Sequence, residues 1–225
     1  MRRTVLLDLD GTLVDSAAAI VEHLAAALTA VGAPVPGPER LRLCVGPPFE
    51  TALPALGLTD DQASAATRIY RRSYDAVAAT VSPLYPGTAA LLARLRADGY
   101  RLAVATSKPE SLAREIVAQQ GIGEGVELVG GADHVAGRVG KAAVVGSVLE
   151  RLGLDAAVDP VVMVGDRVHD VEGAALHGVP AIGVTWGYAL RGEFTGARRV
   201  VDTADELVTV LRCDGLWSVS VGPAR

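Results

Sequence analysis

Residues 4–12 read Thr4-Val5-Leu6-Leu7-Asp8-Leu9-Asp10-Gly11-Thr12. The stretch 4–9 is a short apolar run that ends at Asp–Gly, the pattern of a buried strand leading into a turn. Similar runs recur at 100–106 (YRLAVAT), 126–129 (VELV), 160–164 (PVVMV) and 179–184 (VPAIGV). Between most of them lie helical patterns. Leu91, Leu92, Leu95 and Arg96 share one amphipathic stretch, Leu112, Ile116 and Val117 a second, and Val144, Val145, Val148, Leu149 and Leu152 a third. Apolar strands alternating with helices predict an α/β fold, a doubly wound parallel sheet covered on both faces.

Residues 15–84 break that rhythm. They hold Ala/Leu-rich helical stretches at 16–31 and 60–79 around a Pro/Gly-rich middle (APVPGP, VGPPFE), with no convincing buried strand. The expected organisation is a core of 1–14 and 85–225 with a helical insertion over 15–84, the Tyr85-Pro86-Gly87 turn marking the return. The tail after Leu211 has no clear pattern and is read as a short extra strand or a frayed end.

Composition bounds the function. The 225 residues are 50% hydrophobic and carry a net charge of −5, which excludes a basic footprint for nucleic acid and gives no pull towards an anionic membrane. Cys44 and Cys213 stand far apart without metal-ligand spacing, as thiols of a reducing cytoplasm do. The opening MRRTVLL is too short an apolar run for a signal peptide, and no stretch is long enough to span a membrane. A cytoplasmic protein, monomer or weak homodimer, is expected.

Ligands of an open parallel sheet bind beyond the carboxyl ends of its strands. Here those ends carry Asp8-Leu9-Asp10-Gly11-Thr12, Thr106-Ser107-Lys108, Gly165-Asp166 with Asp170 four residues on, and Thr185-Trp186-Gly187. Three or four acids on one edge repel one another and call for a cation. Oxygen ligands suit a hard ion such as Mg2+. Lys141, the sole lysine after residue 108, is the natural second cation. Alternate strand residues face the same side, so Asp8 and Asp10 can both meet a ligand, one attacking phosphorus while the other handles a proton. Gly11 permits the turn between them and the next segment.

DLDGTLVDS, TSKP, a downstream lysine and GDRVHD occur in the order of the haloacid dehalogenase superfamily, which the chain resembles from residue 4 to about 210. VGPPFE and GVTWGY are similar to a branch described as phosphoglycolate phosphatase-like or 5′-nucleotidase-like. The resemblance implies a Rossmann-like core with a helical cap, acting on a small phosphorylated metabolite. It implies Asp8 as nucleophile and Asp10 as acid, then base. Mg2+ would be held by Asp8, the Asp10 carbonyl and Asp166, with Asp170 behind or through water. Thr106 and Lys141 would bind phosphate oxygens, helped by Ser107 and the backbone of Gly11 and Thr12.

A phosphomutase would share these motifs. Dehalogenation would not need Asp10, and a phospho-acceptor signalling module would be half as long and lack the insertion. Around the site, Asp15 and Ser16 are expected to cap the next helix. His169 reads as a solvent-facing loop histidine, Trp186 and Tyr188 as loop anchors, and Arg42, Arg71 and Arg72 as a mostly solvated face with one of them available to a substrate anion. Arg167 reaches either the cap or an anion, and Pro47, Pro48 and Phe49 form either a loop over the substrate or a kink.

Overall fold

The computed structural model describes residues 2–190 and 192–217. Among them, six parallel strands form one sheet: β1 (Thr4–Leu7), β2 (Arg101–Pro109), β3 (Val126–Ala132), β4 (Val161–Gly165), β5 (Ala181–Val184) and β6 (Arg199–Val201). Their spatial order is β3-β2-β1-β4-β5-β6, the Rossmann order. The chain starts in the middle and winds outwards twice. The switch point therefore falls between β1 and β4, which pair in register from Thr4↔Val161 to Leu7↔Val164.

Strand alternation builds two cores. Val5 and Leu7 pack on one face of the sheet, while Leu6 joins Ala103, Ala105 and Met163 on the other. The second face is closed by helix Lys141–Leu152, whose Val144, Val145, Val148 and Leu149 recur at helical spacing and are all buried.

Helices run in chain order as α1 (Ala17–Ala30), α2 (Pro38–Arg42), α3 (Phe49–Ala55), α4 (Asp60–Tyr74), α5 (Ala78–Val81), α6 (Thr88–Ala97), α7 (Glu110–Gln119), α8 (Lys141–Leu152), α9 (Val168–Ala175) and α10 (Ala204–Leu211). The first six lie between β1 and β2, with α1 and α3 packed on α4. The helix α4 starts at a capping box: the Thr59 hydroxyl accepts from the Gln62 N–H at 3.3 Å, and the Gln62 side chain accepts from the Thr59 N–H at 3.2 Å. Its buried Ala66, Tyr70 and Tyr74 follow at four-residue steps on one face.

The chain leaves and re-enters the sheet side by side. Asp15 N–H donates to the Pro83 carbonyl at 2.8 Å and Tyr85 N–H to the Leu13 carbonyl at 3.0 Å, with Val14 bridged to Leu84.

Several expectations change. The Pro/Gly-rich middle holds two short helices that its composition hid, α2 and α3; Pro38 occupies the first turn of α2 and Pro48 precedes α3, positions where a missing N–H costs nothing. The strand β6 went unread because it is a three-residue edge strand that opens on Arg199, just after Arg198, too short for period-two alternation to show. After Leu211 the chain makes a 3-10 turn at Asp214–Leu216, not a strand. Residues 218–225 of that tail lie outside the described residues.

Candidate active site

The switch point gathers the acids. Asp8 follows β1 and Asp166 follows β4, the adjacent central strands, and Asp170 returns from the first turn of α9. One carboxylate oxygen from each of Asp8, Asp166 and Asp170 lies within 4.8 Å of the others. Lys141, at the start of α8, puts its Nζ 2.7 Å from Asp8 Oδ1 and 2.7 Å from Asp170 Oδ1, and donates to the Ala105 carbonyl at 2.9 Å. All four side chains are buried.

Glycines allow this crowding. A Cβ at Gly165 would fall 2.1 Å from Asp170 Cγ, and one at Gly11 2.1 Å from Asp166 Oδ2. Gly11 also has φ of +86°, which a side chain resists. Thr12 is turned inward and donates to Asp166 Oδ1 at 3.3 Å, while Tyr188 N–H donates to Asp166 Oδ2 at 2.7 Å. The Asp170 carboxylate accepts from the Arg167 N–H at 3.0 Å, capping α9.

The charge balance is unfavourable as it stands. Burial, opposed by Lys141 and reinforced by Asp170, pushes Asp8 up to about 7. Burial, with the charges of Asp170 and Asp8, holds Asp166 well above the carboxylate range. The same acids raise Lys141 against its own burial, so it is an ammonium. Three buried carboxylates against one ammonium leave a deficit of positive charge. Asp170 Oδ1, although close to Lys141, lies off hydrogen-bond geometry. An all-oxygen set with excess negative charge fits a hard divalent cation.

Asp10 faces a different set of partners. Its Oδ1 accepts from Ser16 Oγ at 2.5 Å and its Oδ2 lies 3.1 Å from Lys108 Nζ. Lys108 is buried, donates to Tyr74 Oη at 3.2 Å and stands 4.7 Å over the Tyr74 ring. Sequence reasoning missed Lys108 and Ser16. Thr106 and Lys108 alternate on β2 as Asp8 and Asp10 do beside β1, and that spacing was the available signal. Ser16 and Asp15 do not cap α1 with their side chains. Ser16 is drawn to Asp10, and Asp15 Oδ1 accepts from the Tyr188 hydroxyl at 3.0 Å. That hydroxyl also accepts from Ser16 N–H at 2.8 Å, and Trp186 Nε1 donates to the Thr12 carbonyl at 3.1 Å, so both aromatics anchor loops.

A chamber of about 100 Å3, room for a handful of water molecules, opens between the sheet edge and helices α1, α3 and α4. Asp8, Asp10, Thr106, Ser107 and Lys108 line its floor; Pro47, Pro48, Phe49, Tyr70 and Tyr74 line its far wall. Lys141, Asp166 and Asp170 sit beyond Asp8, which is shared between chamber and acid cluster. Arg71 is not simply solvated: it lines the chamber, 3.0 Å from His134 Nε2 and 3.6 Å from Glu50. Arg167 ties the two sides together, donating to the Val45 carbonyl and pairing with Glu193 at 2.8 Å. His169 lies in α9, half-buried, not in a loop.

Comparison with known proteins agrees with this geometry. Residues 5–184 match the family model of haloacid dehalogenase-like hydrolases. The chain belongs to that family. It is 44% identical over 190 residues to the tyrosine-protein kinase PtkA of Mycobacterium tuberculosis, covering 84% of this chain but 64% of that protein's length. It is 36% identical to the probable phosphatase IndB of Dickeya dadantii over 92% of this chain and 93% of that one. Among solved structures, a predicted phosphatase from Clostridium acetobutylicum superposes with a TM-score of 0.87 at 31% identity, covering 95% of this chain and all of that one. The family was legible in the order of its motifs.

Proposed function

We propose that the chain is a phosphatase for a small phosphomonoester, working through an aspartyl-phosphate on Asp8, with residues 15–84 as a cap domain. The observation that carries the reading is the division of labour between two neighbouring acids: Asp8 against Lys141 and the acid cluster, Asp10 against Ser16 and Lys108, both on the chamber floor.

In this reading an Asp8 oxygen attacks phosphorus, and the bond from phosphorus to the ester oxygen breaks. Asp10 gives that oxygen its proton, so the alcohol leaves neutral. A water then attacks the aspartyl-phosphate, Asp10 takes its proton, and phosphate departs with Asp8 regenerated. Thr106, Ser107 and Lys141, with the Gly11 and Thr12 backbone, hold the phosphoryl oxygens and meet the charge that grows on them. Asp8, Asp166 and the Asp10 carbonyl, with Asp170 behind them, would hold Mg2+, which supplies further positive charge against the phosphoryl oxygens.

The test is phosphate release from a panel of phosphomonoesters with Mg2+. Asp8→Asn should lower turnover at least about a thousandfold; activity within tenfold of wild type would remove Asp8 as nucleophile. Phosphate release without a bisphosphate activator separates a phosphatase from a mutase of the same family.

One observation favours a second reading, phosphoryl transfer from a nucleotide to a tyrosine: the likeness to a protein named a tyrosine kinase. A chamber of about 100 Å3 favours a small ester over a polypeptide. Labelled ATP decides between them, since label on a tyrosine supports the kinase and label released as phosphate supports the phosphatase.

A further inference from the structure

We propose that Tyr70 is a specificity-determining residue of the cap, its phenol donating a hydrogen bond to an oxygen on the organic part of the substrate. The substrate class is thereby a small hydroxylated or carboxylated alkyl phosphate in preference to a plain alkyl phosphate. This rests on the phosphatase reading of the same chamber.

The argument starts from an imbalance between two tyrosines one helical turn apart. Tyr74 has a satisfied hydroxyl, shared with Ser82 Oγ at 3.3 Å and Lys108 at 3.2 Å. Tyr70 is only 7% exposed and lines the chamber, yet among the described residues its hydroxyl has no hydrogen-bond partner. The ring is buried, but the hydroxyl itself keeps accessible surface, which opens on the chamber. The ring cannot swing away to look for a partner. Phe49 meets it edge-on at 4.7 Å and Tyr74 stacks on it at 5.1 Å. A fixed phenol facing an internal chamber is satisfied by whatever fills the chamber.

The chemistry of the partner follows. Burial pushes the Tyr70 phenol far above its usual range, so it remains a neutral O–H and offers a proton. Asp10 lines the same chamber, and its charge acts on that phenol. The matching acceptor therefore belongs to the leaving group, near the ester oxygen that Asp10 serves. Hydroxyl, carboxylate and carbonyl oxygens qualify; a methyl group does not. A site built around such a hydrogen bond discriminates against the analogue that lacks the oxygen, because the phenol is again left unpaired.

Tyr70→Phe removes the hydroxyl and keeps the ring between Phe49 and Tyr74. Steady-state kcat/KM is compared for wild type and variant on matched pairs, 2-hydroxyethyl phosphate with ethyl phosphate and glycerol 3-phosphate with propyl phosphate. Thermal melting checks that the variant is folded. Wild type should prefer the oxygenated member by about tenfold or more, and the variant should lose about tenfold on that member alone. Equal losses on both members, or an unchanged preference, overturn the proposal. Turnover of p-nitrophenyl phosphate by wild type without any preference for oxygenated alkyl phosphates overturns it too, and leaves the phosphatase reading standing. Failure of wild type on every phosphomonoester sinks both.

Discussion

Asp8 and Asp10 are two residues apart, yet they occupy unlike surroundings. Asp8 takes a hydrogen bond from the Leu9 N–H at 2.7 Å and the ammonium of Lys141, and looks towards the acid cluster. Asp10 lies just past the end of β1, where the chain has begun to turn, and meets the start of the helical segment through Ser16. A residue in that place suits a proton donor to the leaving oxygen. Asp10→Asn should therefore depend on the leaving group. Turnover of an alkyl phosphate should fall about a hundredfold or more. An aryl phosphate, whose phenolate leaves without help, should lose less than about tenfold. Comparing kcat for p-nitrophenyl phosphate and a plain alkyl phosphate decides it, and equal losses would argue against a leaving-group acid. At this scale the sequence was informative wherever polar residues closed an apolar run: it placed Asp8, Asp10, Thr106 and Asp166 at strand ends, where the structure gathers them around the acid cluster and the chamber. It was silent on partners supplied from afar. Nothing local marks Ser16 as bonded to Asp10, or Tyr188 as the acceptor for the N–H groups of Ser16 and Ala17.

Between elements, the loops that carry site residues are held by a charge cluster outside the chamber. Glu110, the first residue of α7, directly follows the Thr106–Pro109 segment. Its carboxylate pairs with Arg114 at 2.8 Å, Arg138 at 3.0 Å and Arg151 at 2.8 Å, and accepts from the Gly131 N–H at 3.3 Å. Arg138 stands three residues before Lys141, so one glutamate ties the end of β2 to the loop leading into α8 and to α8 itself. Burial works against its charge, but the arginine hydrogen bonds prevail and lower Glu110 to about 2. The linkage sign is that of a depressed acid. Its contribution is complete above the unfolded value near 4.5 and is lost as pH falls from there towards 2. Arg114 and Arg151 are open to solvent, which reduces the gain to about 2 kcal/mol. Glu110→Gln should thus lower Tm by about 4–8 °C at pH 7, with the gap to wild type closing as pH falls from 4.5 towards 2. A gap that stays constant across that window would show that shape, not charge, matters at Glu110. None of this cluster was legible in the sequence, because ion pairing between residues 110, 138 and 151 needs the tertiary fold. The helices themselves were readable, since their apolar spacing is local.

Over the whole molecule, the Rossmann strand order does the gathering. Acids 158 residues apart in sequence, Asp8 and Asp166, meet because β1 and β4 are neighbours at the point where the winding reverses. The topology thus concentrates negative charge at the centre of the sheet, where it is deeply buried and offset by a single lysine. Such crowding of acids is unfavourable in the absence of a cation, and the cost should be measurable without any turnover. In EDTA, Asp166→Asn should melt at or a few degrees above wild type, because it removes an acid whose ionisation burial, Asp170 and Asp8 all oppose. Adding Mg2+ should reverse the order. At a concentration about a hundred times its dissociation constant, the ion stabilises the folded state by about 2.7 kcal/mol, which for a chain of this size raises Tm by about 5–10 °C. The variant, with one carboxylate fewer, should move by less than about 2 °C. Ca2+ and Na+ controls separate site binding from a general salt effect, since Na+ at matched ionic strength should reproduce none of the shift. Wild type indifferent to Mg2+, or a variant that shifts as much as wild type, would show that Asp8, Asp166 and Asp170 do not form a metal site.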